Sequence, residues 1–345
     1  MSKHEIYKNK KVFITGHTGF KGSWLALWLQ QIGAEIAGYA LSPEELSHFN
    51  LLNLNVKNYF NDINDEKSLN AAMLEFNPDI VFHLAAQPLV RDSYSDPITT
   101  YNTNVTGSLK VYLAALKAKV PAIVSITTDK VYDNKEWLWG YRENDVLGGH
   151  DPYSSSKACM EIMTDSFKKS FLSNGEMLIA TARAGNVIGG GDWAKDRLIP
   201  DLVRNASKKI LTPIRNPNSV RPWQHVLEPL NGYLLLGEKL LRGQKQFASS
   251  YNFGPSLSDN ITVQDVANFA KSSWSDIDFK MESDANHMHE ANLLKLDISK
   301  AQNELQWMPL WSAEDAIKHT VIWYKNYYQE KKLTSMQDLE RFTNF

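Results

Sequence analysis

Short apolar runs alternate with amphipathic stretches of helical length through the first half of the chain. The alternation predicts an α/β architecture, a doubly wound parallel sheet with helices on both faces. Lys11-Val12-Phe13-Ile14-Thr15 reads as the first strand and Ser23 to Gln31 as the helix behind it. Glu35 to Leu41 reads as the second strand, and a short third strand precedes Asp62. Asp79 to Leu84, Ala122 to Thr127 and Leu178 to Arg183 follow. The Ala122 run is rich in β-branched residues, which suit a pleated, buried surface. From Gly185 the pattern loosens into Gly189-Gly190-Gly191, several prolines and short helical stretches. Such a region suits a smaller lobe on the carboxyl edge of the sheet, where open α/β sheets bind ligands. The expected division is a sheet domain over 1–185 with return segments at about 220–260, a smaller C-terminal lobe over 186–330, and a polar, mobile tail over 331–345.

The first strand leads straight into Gly16-His17-Thr18-Gly19-Phe20-Lys21-Gly22 and then an apolar helix. Glycines there let the backbone turn sharply and approach a pyrophosphate, whose charge the helix N-terminus stabilises. A glycine triplet alone is weak. Its place between strand and helix makes it a dinucleotide signal rather than an ordinary tight turn. The spacing, Gly-x-x-Gly-x-x-Gly, resembles that of the extended short-chain dehydrogenase/reductases. The second strand should end near an acid for the adenosine ribose, yet Gly38-Tyr39-Ala40-Leu41 supplies none. No Lys or Arg stands between Glu35 and Val56 to meet a 2′-phosphate. NAD is therefore favoured, with Lys21 keeping NADP open. Asp62-Ile63 resembles the place where that family's acid meets the adenine amino group; a solvated turn aspartate is the other reading.

Composition narrows the partners. A net charge of −2 and a pI near 6.5 give no support for nucleic acid or an anionic membrane. No uninterrupted apolar run reaches the ~18 residues of a membrane span, and Met1 to Tyr7 holds no apolar signal-peptide core. The single cysteine, Cys159, excludes an internal disulfide and a cysteine-built zinc site. No metal is expected, and the cysteine count fits a reducing cytoplasm. Ten tryptophans hint at a large flat ligand, or simply at core filling.

Tyr153-Ser154-Ser155-Ser156-Lys157 is the second anchor. Asp151 can cap a helix whose first position suits Pro152, which places Tyr153 in the first turn. Lys157, four residues on, shares its face. Free tyrosine titrates near ~10, and a cation within ~4–6 Å favours the phenolate. Tyr-x-x-x-Lys is common on surface helices, but context lifts it here. Ser125-Ile126-Thr127-Thr128-Asp129-Lys130-Val131-Tyr132 ends a predicted strand, at the rim where chemistry happens in such sheets. Thr128 can hydrogen-bond the oxygen that Tyr153 deprotonates. Thr128, Tyr153 and Lys157 resemble the short-chain dehydrogenase/reductase triad. Asp129-Lys130 could be a surface ion pair. A simple dehydrogenase or epimerase needs no such pair, whereas eliminating water from a hexose needs an acid and a base.

These residues together resemble the sugar-nucleotide 4,6-dehydratases. The dTDP-glucose enzymes typically carry Asp-Glu after the threonine; Asp-Lys resembles the CDP-glucose group. So do Gly16 to Trp24, Glu136-Trp137-Leu138-Trp139-Gly140-Tyr141 and Arg221-Pro222-Trp223-Gln224-His225-Val226, and the likeness runs from Lys11 to about Tyr324. The resemblance implies an NAD-binding Rossmann domain over 1–185 and a substrate-binding lobe after it. It implies that Leu84-Ala85-Ala86-Gln87 lies along the nicotinamide half of the cofactor. Asn104 would prop the active-site backbone, or merely start a helix. Arg183 to Gly189 would line the sugar-diphosphate site through Asn186. Arg197 and Arg221 would bind the diphosphate, or stand as surface charges. Lyase activity on CDP-D-glucose, a homodimer, and service to deoxysugar or O-antigen synthesis follow from the same resemblance. Two readings stay open beside it: another sugar-nucleotide dehydratase or 4-epimerase of this fold, and a non-catalytic NAD-sensing protein.

Overall fold

The computed structural model describes residues 4–173, 175–282 and 293–344. Seven strands form the central sheet: β1 (Lys11–Thr15), β2 (Glu35–Ala40), β3 (Lys57–Phe60), β4 (Ile80–His83), β5 (Ala122–Ile126), β6 (Leu178–Ala184) and β11 (Ser250–Phe253). Their order is β11-β6-β5-β4-β1-β2-β3, and every neighbouring pair is parallel. Strands covered on both faces must be apolar throughout. Val12 and Ile14 of β1 accordingly enter one core and Phe13 the other. The order reverses between β1 and β4, and the carboxyl ends part there to open a crevice. This is the Rossmann-type, doubly wound α/β sheet.

One face carries α1 (Phe20–Ile32), α9 (Leu227–Leu241) and α11 (Ser299–Leu305). The other carries α3 (Glu66–Phe76), α6 (Ser108–Lys117) and part of α7 (Pro152–Phe171). Helix α1 starts at Phe20, ahead of the expected Ser23, because Gly19 takes the N-cap position. A third core gathers α8 (Leu198–Ser207), α10 (Val263–Ser273) and α12 (Ala313–Glu330). Three short strand pairs surround it: β7 (Val187–Ile188) with β10 (Gln224–His225), β9 (Val220–Arg221) with β12 (Ile261–Thr262), and β8 (Thr212–Ile214) with β13 (Phe279–Met281).

The polar tail, expected to be mobile, is instead a helix, α13 (Ser335–Thr343). Leu339 and Phe342, three residues apart, share one buried stripe, and Phe342 meets Trp28 of α1 edge to face. Trp24, Trp28, Trp223, Trp274, Trp307, Trp311 and Trp323 are all buried, so core filling accounts for most of the tryptophans. Among the described residues no helix is long and apolar enough to cross a membrane.

Candidate active site

A cleft of about 1050 Å³ runs along the carboxyl ends of the strands. That exceeds the ~300–1,000 Å³ typical of one small ligand and suits two lying end to end. Its first half is lined by Gly16, Gly19, Phe20, Lys21 and Gly22, then Asp62 and Ile63, then Leu84, Ala85 and Ala86. Gly16 has a φ of +75°, and a Cβ on it would lie 2.7 Å from the Ala85 nitrogen. A Cβ on Gly22 would lie 2.1 Å from the Gly16 carbonyl oxygen. No side chain caps α1, so its first-turn N–H groups are left to an anion. This cradle fits a dinucleotide pyrophosphate. Burial, reinforced by the nearby Arg197 guanidinium, lowers the Lys21 ammonium to about 8. The Asp62 carboxylate accepts from the Asn64 N–H at 2.8 Å, while its backbone oxygen accepts from Tyr39.

Three residues anticipated on the cofactor turn their side chains elsewhere. The His17 ring tucks beneath Gly38, where a Cβ would sit 2.2 Å from it, and contacts Asn58 Oδ1 at 2.9 Å. Burial drives this imidazole down to about 4, so it stays neutral and acts as a strut. Gln87 Nε2 donates to Thr100 Oγ1 at 2.9 Å and shapes its own loop. Asn104, in a π-helical turn, accepts from the Gln87 N–H at 2.8 Å and donates to Ser156 Oγ at 2.9 Å. It ties the β4 loop to α7.

The reacting groups meet at the middle of the cleft. Asp151 caps α7 by accepting from the Ser154 N–H at 2.9 Å, Pro152 takes the first turn, and Tyr153 follows. Lys157 is 3% exposed, and its Nζ donates to the Ile126 carbonyl at 3.1 Å. Burial, then repulsion from Lys21, brings Lys157 down to about 7. Burial pushes the Tyr153 phenol up to about 12, against an opposing hydrogen bond from Thr128. The lysine alone therefore does not ionise the tyrosine: the cost of a buried phenolate outweighs a cation directed at a backbone carbonyl.

Thr128 caps the short 3₁₀ turn Asp129–Val131 and donates to Asp129 Oδ1 at 2.9 Å. Asp129 is 1% exposed, and its buried Oδ2 has no hydrogen-bond partner among the described residues. Gly185 lies beneath it, where a Cβ would stand 1.9 Å from that oxygen. Lys130 follows Asp129, half-buried and on the cleft wall.

Asn186, Arg197 and Arg221 line the far half, with Asp192, Thr212 to Asn216 and Trp223, none of which the sequence singled out for ligand binding. Asn186 bends the chain with a φ of +41°. Arg197 Nη1 is held by Asp192 Oδ2 at 2.6 Å, and Tyr324 donates to the Asp192 carbonyl at 2.5 Å. Arg221 donates to the Val220 carbonyl at 3.0 Å. Arg183, read with the same segment, lies below the cleft, paired with Glu161.

The sequence model of the family described as GDP-mannose 4,6 dehydratase matches residues 13–320. A CDP-glucose 4,6-dehydratase of Salmonella typhimurium is 47% identical over 330 residues, covering 93% of this chain and 92% of that protein. A dTDP-glucose 4,6-dehydratase of Streptomyces antibioticus is 27% identical, covering 77% of this chain and 75% of that one. Among solved structures, dTDP-glucose 4,6-dehydratase from Bacillus anthracis, crystallised with NAD, superposes with a TM-score of 0.79. It is 21% identical and covers 93% of this chain and 98% of its own, a likeness of fold. With the glycine cradle, the Thr128, Tyr153 and Lys157 set and a family match spanning the sheet and the lobe, the chain belongs to the GDP-mannose 4,6-dehydratase family.

Proposed function

We propose that the chain removes water from CDP-D-glucose, giving CDP-4-dehydro-6-deoxy-D-glucose, with NAD held in the glycine half of the cleft. The observation that carries this reading is Asp129 and Lys130 lining the cleft beside Thr128 and Tyr153. The 47% identical relative supports the choice of nucleotide. The α1 amides, Gly16, Gly19, Lys21, Asp62 and Leu84 to Ala86 would hold the cofactor. NAD, when bound, supplies a reversible two-electron acceptor, so turnover shows no net redox change, and the positive charge of its oxidised ring. Tyr153 takes the O4 proton, with Thr128 hydrogen-bonding the same oxygen and the Lys157 charge one helical turn away. A ketone at C4 makes the C5 hydrogen acidic. Lys130 is the base that takes that proton. Asp129 is the acid that hands a proton to O6, which leaves as water.

Arg197 and Arg221 offer forks for the diphosphate. Leu113 of α6 and Ile162 of α7 are exposed apolar residues, and these two helices are where a second copy of the chain would pack. The test is incubation with NAD and CDP-, dTDP-, UDP- or GDP-glucose in parallel, scoring the alkali-labile 4-keto sugar. The expected result is product with the highest kcat/KM on CDP-glucose. A preference for dTDP-glucose would overturn the nucleotide choice, and no 4-keto product from any of the four would overturn the dehydration.

A further inference from the structure

Beneath the reacting groups lies an ion pair that touches neither ligand half. Glu161 and Arg183 are 4% and 2% exposed. Glu161 Oε1 accepts from Arg183 Nε at 2.9 Å and from Thr127 Oγ1 at 2.6 Å. Its Oε2 accepts from Arg183 Nη2 at 3.1 Å, Thr181 Oγ1 at 2.7 Å and Ser250 Oγ at 3.2 Å. Arg183 Nη1 donates to the Tyr132 hydroxyl at 2.8 Å and the Glu143 carbonyl at 3.0 Å, and the guanidinium lies 5.0 Å from the centre of the Tyr132 ring. Tyr132 in turn donates to Asn252 Oδ1 at 2.7 Å.

Stability alone gives little reason for such a pair. The desolvation of two buried charges roughly cancels their attraction, and well-packed apolar residues often serve as well. What the pair does provide is geometry. Thr127 immediately precedes Thr128, and Tyr132 follows Lys130 by two residues. The segment that carries Thr128, Asp129 and Lys130 is therefore pinned at both ends, by its threonine to the glutamate and by its tyrosine to the arginine. Glu161 also continues the stripe of α7 on which Tyr153 and Lys157 stand, at successive four-residue steps. One buried pair thus references the acid and base that follow β5 to the tyrosine and lysine of α7.

We propose that Glu161 and Arg183, acting through Thr127 and Tyr132, are positioning residues that set the distance between the catalytic segment after β5 and the Tyr153–Lys157 face. The proposal rests on the dehydratase reading above. A displacement on the order of 1 Å at a reacting group can cost ~100-fold in rate, so small releases should be visible in turnover.

Thr127→Val keeps the shape and removes one tether, Thr127→Ser restores the hydroxyl, and Tyr132→Phe removes the tether at the other end. All are assayed on CDP-glucose beside the natural chain, with KM, kcat, thermal midpoint and solvent exchange of the C5 hydrogen recorded. The expected result is a kcat about tenfold or more lower in Thr127→Val and in Tyr132→Phe, on the scale of such misplacements. C5 exchange should slow in step, KM should stay within about threefold, and Thr127→Ser should recover most of the rate. A kcat within about twofold of the natural chain in whichever of the two variants folds overturns the proposal, as does a loss that Thr127→Ser fails to recover. Absence of 4-keto product from the natural chain itself would instead mark a failure of the dehydratase reading.

Discussion

In the cofactor half of the cleft, the cradle is one strand, one turn and one helix: Gly16 and Gly19 between β1 and α1, and Gly22 in the first turn of α1. In the substrate half, Asn186, Arg197, Thr212 to Asn216 and Arg221 come from separate loops and strands two or three residues long. The first half is specified by backbone contact. Gly22 must lack a side chain because the Gly16 carbonyl fills its place, and that demand is local in sequence. The second is specified by tertiary packing: Arg197 is aimed by Asp192, and Asp192 is seated by Tyr324, 132 residues away. Local demands leave a spacing that can be read; packing demands leave only residue types.

The largest expected effect falls where the halves meet. Lys130→Met should lower kcat by roughly 10²–10⁴-fold, the range for a lost general base, and abolish exchange of the C5 hydrogen with solvent. Binding of NAD and CDP-glucose should be preserved. If exchange survives at saturating substrate, Lys130 binds phosphate and is not the base. Next, Gly22→Ala should act on the cofactor half alone. Overpacking against backbone costs ~1–3 kcal/mol, so NAD affinity should fall about ten- to hundredfold while the KM for CDP-glucose stays put. The mirror experiment is Arg221→Ala. Losing charge-assisted bonds worth ~1.5–3 kcal/mol should raise the KM for CDP-glucose about tenfold or more and leave NAD affinity unchanged. Calorimetric titration of each variant with each ligand tests the division. If Gly22→Ala weakened both ligands equally, the two halves would not be separate structures.

The same contrast explains what the sequence disclosed. The glycine turn and the Tyr153–Lys157 face were legible because strand-turn-helix and i, i+4 spacings are themselves the geometry. The direction of the His17 ring was not legible, since it depends on Gly38 leaving room in the adjoining strand. Tyr153 was expected to be ionised by Lys157, yet burial raises the phenol, and depth of burial is a property of the whole fold. Glu161, four residues beyond Lys157, could have been suspected from its stripe; its partner Arg183 lies on another element. The tail misled because a polar composition hides two apolar residues, Leu339 and Phe342, at helical spacing.

The smallest effect comes from protons on buried histidines outside the cleft lining. His48 and His83 are buried, and burial lowers each to about 3, with His17 at about 4. His225, packed on Trp24 of α1, is also lowered to about 3 by burial. An unfolded histidine takes up its proton near ~6.5. Between that pH and the folded values, the unfolded chain holds more protons than the folded one, so stability falls as pH falls through this window. Each such histidine can cost up to ~1.4 kcal/mol per pH unit there. His48 is the one to change, because its ring contacts Ser23 Oγ at 2.8 Å on one side and Ser335 Oγ at 2.8 Å on the other, joining α1 to α13. A glutamine can partly replace those contacts without titrating. Thermal midpoints measured from pH 7 to 5 should decline in the natural chain and decline less steeply in His48→Gln. Hydrogen exchange, corrected for intrinsic rates, should show α1 and α13 loosening before α8 and α10. Parallel pH slopes in the two proteins would mean that His48 is not among the groups that set acid stability. Loosening that began in α8 would place the acid-sensitive half on the substrate side.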